Sequence, residues 1–342
     1  MIPNPPRLGI VGATGAVGQE LIACLEQRRF PLADLRLFAS SRSAGRMLPF
    51  RGQPIAVEAL TEDAFGGLDI ALFSAGGDAS RRFAPAAVAR GAIVIDNSSA
   101  FRMHTDVPLV VPEVNACDIG GHHGIIANPN CVAIIAVVPL WPLHRHNRIR
   151  RVIAATYQAA SGAGAAAMEE LRAATAAHLA GEDYAPRVMA HPYAFNLFSH
   201  DSGVDPATGY NGEETKVMQE IRKIMAEEDI RIGVTCIRVP ILRAHAIALT
   251  VEFDNPITPD EAREVLAAAP GIRVVDDVAA NRFPMPRDAT GQGDVLVGRI
   301  RPDVSDPSGR SLAMFIAGDQ LLKGAALNAV QIAERVIGKD AG

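Results

Sequence analysis

Strand-like and helix-like apolar spacings alternate along the first third of the chain. Residues 8–11 form an apolar run that closes on Gly12, and Val17, Leu21, Cys24 and Leu25 then recur at helical spacing. Further strand-like runs occupy 35–39, 70–74, 93–95, 109–111 and 125–127, with a helix expected over 79–90. Repeated units of this kind build a parallel sheet with right-handed crossovers. Past residue 131 the pattern changes. It predicts an apolar helical stretch at 132–138, a strand at 151–158, an Ala-rich helix at 165–180, a loop-rich segment at 181–212 and a helix at 214–227. Two strands flank His245. Thr258-Pro259-Asp260-Glu261 is a capping box with proline at the first helical position, opening a helix to about residue 268. A Pro/Gly-rich loop at 281–293, a strand at 312–317 and a helix from 319 to 337, stopped by Gly338, complete an α/β chain.

Composition narrows the class. The 342 residues are 49% hydrophobic and 21% charged, about two soluble domains' worth and unlike a disordered chain. A formal charge of −5 and 5% aromatics provide neither a basic surface nor stacking platforms for nucleic acid. The longest apolar run, 131–143, is broken by Pro139 and Pro142 and falls short of the ~20 residues of a membrane helix. The opening MIPNPPRLGIVG carries no export pattern, so a cytoplasmic location is expected. Cys24, Cys117, Cys131 and Cys236 form no C-x-x-C pair and read as reduced thiols, each by default a small buried hydrophobe. The cluster of His122, His123 and Cys117 matches no standard metal-site spacing, and no metal is expected.

Three segments carry chemistry. Gly12, Gly15 and Gly18 lie in GATGAVG between a strand and a helix, the context in which backbone N–H groups receive a pyrophosphate. After the second strand, Ser40-Ser41-Arg42-Ser43 stands where an NAD site would place an acidic residue; hydroxyls and a guanidinium suit a 2′-phosphate, so NADP is expected over NAD. In Asn128-Pro129-Asn130-Cys131, Asn130 is a good N-cap and Cys131 the first helical residue, where the helix dipole favours thiolate. A thiolate near a nicotinamide adds to an aldehyde and carries a thioester, a reaction that needs an acid/base. Among nine histidines, His245 stands out, because it follows Arg238 and Pro240 at the head of a strand.

GATGAVG, the Ser-Ser-Arg-Ser segment, DNSSAFR (96–102), NPNC (128–131), TYQAASGAG (156–164), EETK (213–216), RVPILRAH (238–245) and GDQLLKGAA (318–326) appear in an order that resembles the bacterial aspartate-β-semialdehyde dehydrogenases over nearly the whole chain. The resemblance implies a Rossmann-type NADP-binding domain of residues 1–130 plus 319–342 and an α+β catalytic and dimerisation domain of residues 131–318. It implies reversible reduction of L-4-aspartyl phosphate to aspartate 4-semialdehyde, by a homodimer. In that reading Cys131 is the nucleophile, His245 the acid/base, and Gln158 positions the substrate. Arg238 clamps the α-carboxylate and Glu213 the ammonium. Arg102 and Lys216 bind phosphate, and Asn130 orients substrate. Cofactor contacts fall to Gly12, Thr14, Gly15, Ala16, Val17, Gly18, Ser40, Ser41, Arg42, Ser74, Ser161, Gly162 and Gln320. Two alternatives stand beside it. One is an N-acetyl-γ-glutamyl-phosphate reductase, whose family usually carries a His-Pro-Gly-Cys-type motif. The other is a non-catalytic nucleotide-binding relative, which should lack Cys131 or His245.

Overall fold

The computed structural model describes residues 2–338. Two compact units result: the chain up to Asn130, rejoined from Ala325 onward, and the chain from Cys131 to Gly324. Residues 319–324, expected with the first domain, therefore belong to the second unit.

The first unit is a seven-stranded sheet in the order β3-β4-β2-β1-β5-β6-β7. It is built from β1 (Arg7–Val11), β2 (Asp34–Ala39), β3 (Met47–Phe50), β4 (Gln53–Ala59), β5 (Ile70–Phe73), β6 (Ile93–Asp96) and β7 (Ile125–Ala127). All neighbours are parallel except β3 and β4. Every residue of β5 is buried, as expected of a strand covered on both faces. Helices α1 (Ala16–Gln27) and α2 (Gly77–Ala89) make crossovers, and α3 (Pro112–Asn115) is a single turn. The strand expected at 109–111 is reduced to one bridge, Leu109 to Ala127. Pro108 and Pro112 flank it and can donate nothing to a ladder. The hairpin β3–β4 escapes the apolar pattern because it is exposed and contains Pro49 and Pro54. Its Arg51-Gly52 turn, with φ +50° and +75°, carries the signal instead.

The second unit opens with α4 (Cys131–His146) and lays down a mixed sheet in the order β12-β13-β14-β11-β8-β10-β9. Its strands are β8 (Ile149–Gln158), β9 (Phe198–Ser199), β10 (Arg231–Arg238), β11 (His245–Phe253), β12 (Ile272–Val274), β13 (Val295–Pro302) and β14 (Ser311–Gly318). Helix α5 (Ala165–Ala180) precedes the long loop. Helices α6 (Gly212–Met225) and α7 (Pro259–Ala267) pack on α4, and α8 (Pro286–Ala289) interrupts the loop expected at 281–293. The chain then re-enters the first unit as α9 (Leu327–Val336), packed on α1.

Helix α4 runs straight through Pro139 and Pro142, where the sequence pattern predicted a break. A proline inside a helix costs about 3 kcal/mol. Residues 132–140 are all buried, and that burial outweighs the lost N–H groups. Burial in β8 alternates instead: Val152, Ala154, Thr156 and Gln158 face inward, while Ile153 is 47% exposed on the other face.

One buried carboxylate organises the loop-rich segment. Glu170, on the inner side of α5, accepts backbone N–H bonds from Arg187, Val188 and Met189 at 2.6, 2.7 and 2.8 Å. Burial alone would raise its pKa, but the three donors outweigh that and hold it below the usual carboxylate value. Glu170→Gln replaces one acceptor oxygen with a donor. We expect about 2–3 kcal/mol of lost stability by urea unfolding, together with faster proteolysis around residues 187–189.

Candidate active site

In the first unit, β1 ends in a turn that only glycine permits. Gly12 has φ +86°, and a Cβ there would lie 2.3 Å from the Ser74 carbonyl oxygen, at the end of β5. A Cβ on Gly18 would lie 2.2 Å from the Gly12 oxygen. The turn is pinned by Gly12 N–H to Phe38 O at 2.8 Å and Gly15 N–H to Gly12 O at 3.0 Å. Gly15 caps α1 without a side-chain bond, and the first turn, with Ala16 and Val17, has no acidic residue. The N-terminus therefore keeps its positive dipole end for an anion. Thr14 is half-buried in the same turn, and Ser40, Ser41 and Arg42 are exposed just past β2.

Arg102 is buried in the same unit. Its Nε donates to Asn128 O at 3.0 Å and its Nη2 to Asn97 O at 2.8 Å. The Asn128 side chain accepts from Asn328 Nδ2 of α9 at 2.7 Å, and Asn328 also donates to Val110 O at 2.9 Å. Arg102 and α9 thus fix, from two sides, the strand end that leads into buried Asn130. The role of Asn328 was not visible in the sequence, because an asparagine on an apolar helix has no local signature.

In the second unit, Cys131 is the first residue of α4 and is half-buried. Leu322–Ala326 forms a wide turn of the π type, closed by Gly324 N–H to Asp319 O at 3.0 Å. A Cβ on Gly324 would lie 2.9 Å from the Cys131 Cβ, so only glycine lets this turn pass the thiol. Cys236 lies within β10, where burial pushes its thiol up to about 12. Cys24 is likewise buried, but Cys117 is exposed and departs from the buried-hydrophobe reading; its Sγ lies 3.6 Å from Asp118 Oδ1.

Strand pairing gathers the polar residues. Parallel β8 and β10 set Gln158 opposite Arg238, and antiparallel β11 begins at His245. Gln158 donates to Glu213 Oε1 at 3.3 Å and accepts from Thr156 Oγ1 at 3.0 Å. Lys216, one turn along α6, lies 3.8 Å from Glu213 Oε2. His245 is fully buried, and its Nδ1 accepts the Ala159 N–H at 3.0 Å. Its proton therefore resides on Nε2, which has no partner. Burial, then the charges of Arg238 and His200, push its pKa down to about 3, so the ring is neutral at pH 7. Arg238 Nη2 lies 3.5 Å from Asp201 Oδ1, while its Nε and Nη1 have no partner. Gly162 separates the two groups: a Cβ there would lie 3.0 Å from His245 Nε2 and 3.1 Å from Arg238 Nη1. Ser161 and Gln320 are buried and hydrogen-bonded to each other, and Gln320 also accepts the Ala244 N–H at 2.9 Å. They brace the corner that delivers His245. Asp201 was not foreseen, because it lies in the loop-rich segment 181–212, where no periodicity marks a facing side chain.

Among the described residues, no group of three or more metal-ligating side chains forms a site, and no helix is long and apolar enough to cross a membrane.

The nucleotide-type sheet of the first unit and the polar cluster of the second correspond to the two domains of the semialdehyde dehydrogenases. The model of the semialdehyde dehydrogenase NAD binding domain matches residues 7–122, and that of the semialdehyde dehydrogenase dimerisation domain matches residues 140–323. The aspartate-semialdehyde dehydrogenases of Synechocystis sp. and Aquifex aeolicus are 52% and 48% identical over 98% and 97% of this chain and 98% of each relative. The chain belongs to the aspartate-semialdehyde dehydrogenase family. Aspartate semialdehyde dehydrogenase II of Vibrio cholerae, solved complexed with ASA, superposes with a TM-score of 0.95 at 39% identity, covering 98% of this chain and 99% of that one. The Candida albicans enzyme, solved with NADP, has a TM-score of 0.74 at 25% identity, covering 97% of this chain and 98% of that one.

The imidazole sets a pH dependence. In the unfolded chain His245 takes a proton below its ordinary value of 6.5; in the folded protein it does so only near 3. Stability therefore falls as pH drops through that window. Urea unfolding should show the wild type losing about 1.4 kcal/mol more than His245→Gln between about pH 7.5 and about pH 5.5.

Proposed function

We propose that this protein catalyses the reversible, NADPH-dependent reduction of L-4-aspartyl phosphate to L-aspartate 4-semialdehyde and phosphate, a step of amino-acid biosynthesis towards lysine, threonine, methionine and isoleucine. The observation that carries this is the set of unpartnered donors on His245 and Arg238 around Gly162, in the unit whose first residue is a half-buried thiol. The uncapped α1 N-terminus with Gly12, Thr14, Gly15 and Gly18 fits a dinucleotide pyrophosphate, with Ser74 behind the turn. Ser40, Ser41 and Arg42 fit a 2′-phosphate and favour NADP. When bound, the nicotinamide supplies or removes the hydride that links the acyl and aldehyde levels.

Cys131 Sγ, as the thiolate that the N-terminus of α4 favours, attacks the acyl-phosphate carbon, the bond from that carbon to the phosphate oxygen breaks, phosphate leaves, and the acyl group is held as a thioester. His245 stabilises the developing oxyanion, its Nε2–H donating to the substrate carbonyl oxygen as negative charge builds there; the acid/base role expected of it requires Nδ1 to be released from the Ala159 N–H. Arg238 binds the α-carboxylate through its open edge, and Glu213 takes the ammonium. Gln158, held by Thr156 and Glu213, orients the acyl group, with Asn130 beside the nucleophile. Lys216 and Arg102 neutralise phosphate. We assign the reaction to the cytoplasm, a reading supported by the reducing compartment that a nucleophilic thiol needs.

Phosphate-dependent reduction of NADP by aspartate semialdehyde tests the assignment. We expect Cys131→Ala to lose at least about a thousandfold in turnover. Arg238→Lys, which cannot form the fork, should raise KM about tenfold or more. Turnover surviving Cys131→Ala, or faster turnover with NAD, would overturn these roles.

We infer a homodimer as well. The dimerisation-domain match is supported by a half-exposed sheet face bearing Ile153, Tyr157 and Phe315. Ile153→Glu should shift sedimentation towards the monomer; an unchanged profile would remove this face from the interface.

A further inference from the structure

Among the described residues of the second unit, the buried polar side-chain atoms without a partner are few: Arg238 Nε and Nη1, His245 Nε2 and the hydroxyl of Tyr193. Native proteins rarely leave such groups unmade, and those that remain point to a ligand. The first three belong to the site described above. The fourth does not, and nothing so far gives Tyr193 a role.

Tyr193 is 1% exposed and sits in a cluster with Ala160, Leu171 and Met189. Its ring meets Phe198 edge-on, with centroids 5.5 Å apart. Phe198 is the cross-strand partner of Arg238 in the β9–β10 pair, and such partners stand on the same face of a sheet. The charges of Arg238 and Asp201 act on the hydroxyl, while burial pushes it up to about 12 and keeps it protonated at neutral pH. The two arginine N–H groups and the imidazole Nε2–H can only donate, and a phenol beside a guanidinium has its proton to offer as well. These unpartnered atoms can all donate; the one carboxylate beside them, Asp201, lies 3.5 Å from Arg238 Nη2 and leaves Nε and Nη1 to an oxygen-rich anion.

We propose that the Tyr193 hydroxyl is a substrate-binding group, donating to the same carboxylate that Arg238 grips, and so a determinant of specificity for an amino-acid-type substrate. This rests on the reaction assigned above and adds to it a neutral donor. Arg238 supplies charge, which any anion satisfies. Tyr193 supplies a directional bond from the side of β9, which a carboxylate with its second oxygen free can accept. The segment that carries Tyr193 thereby becomes part of the binding surface.

Tyr193→Phe removes only the oxygen, one that has no partner in the protein. We expect KM for aspartate semialdehyde to rise roughly tenfold to a hundredfold, in line with a hydrogen bond to a charged group. The KM for NADP and the melting temperature should not fall, because no internal bond is lost. An unchanged KM overturns the proposal, whatever the melting temperature does. Wild-type turnover decides the reaction assignment separately, and calorimetric binding of aspartate semialdehyde to wild type and Tyr193→Phe decides this one even on a protein without turnover.

Discussion

The hydrogen bond from the Ala159 N–H to His245 Nδ1 sets the terms for the rest of the second unit. Without it, a fully buried imidazole would be free to choose its tautomer; with it, the only proton of the neutral ring points away from the backbone. That bond requires β8 to end beside the start of β11, and the sheet order provides this by placing the two strands next to each other. The bracing of Ala244 by Gln320, and of Gln320 by Ser161, serves the same corner. Ala244 itself adopts φ +71°, a left-handed conformation that a non-glycine residue holds only when its surroundings over-determine it.

Polar burial follows from this arrangement. Arg238, Glu213, Gln158 and His245 are all buried, and each has at least one interaction that fixes its position. Buried charges are costly unless paired, so a cluster of this kind commits the fold to a site and not to stability alone. The overall negative charge of the chain and a local excess of donors coexist because the donors are enclosed.

Much of this was legible in the chain. The β–α alternation, the capping box at Thr258 and the extent of the Ala-rich helix could be read from spacing, and the motifs single out Cys131 together with Gln158, Arg238 and His245, the last three of which strand pairing brings together. What could not be read has physical reasons. Pro139 and Pro142 read as a break because local propensity cannot register the burial that holds α4 together. Strands β3 and β12 are short, exposed or half-exposed edge elements with weak alternation. Asp201 and Tyr193 lie in a loop, where no periodicity assigns a facing direction. Convergence on Gly162 is a property of strand order, and no single segment encodes it.

The exposed thiol of Cys117 has a practical side. Reagents that alkylate sulfur will find two accessible sites on each chain, Cys117 in the open and Cys131 at the head of its helix, while Cys24 and Cys236 stay silent in the interior. The number of labels per chain will therefore not match the number of inactivating events. A Cys117→Ser background makes the two counts the same, and leaves one accessible thiol, Cys131, on which covalent inhibitors can be titrated directly.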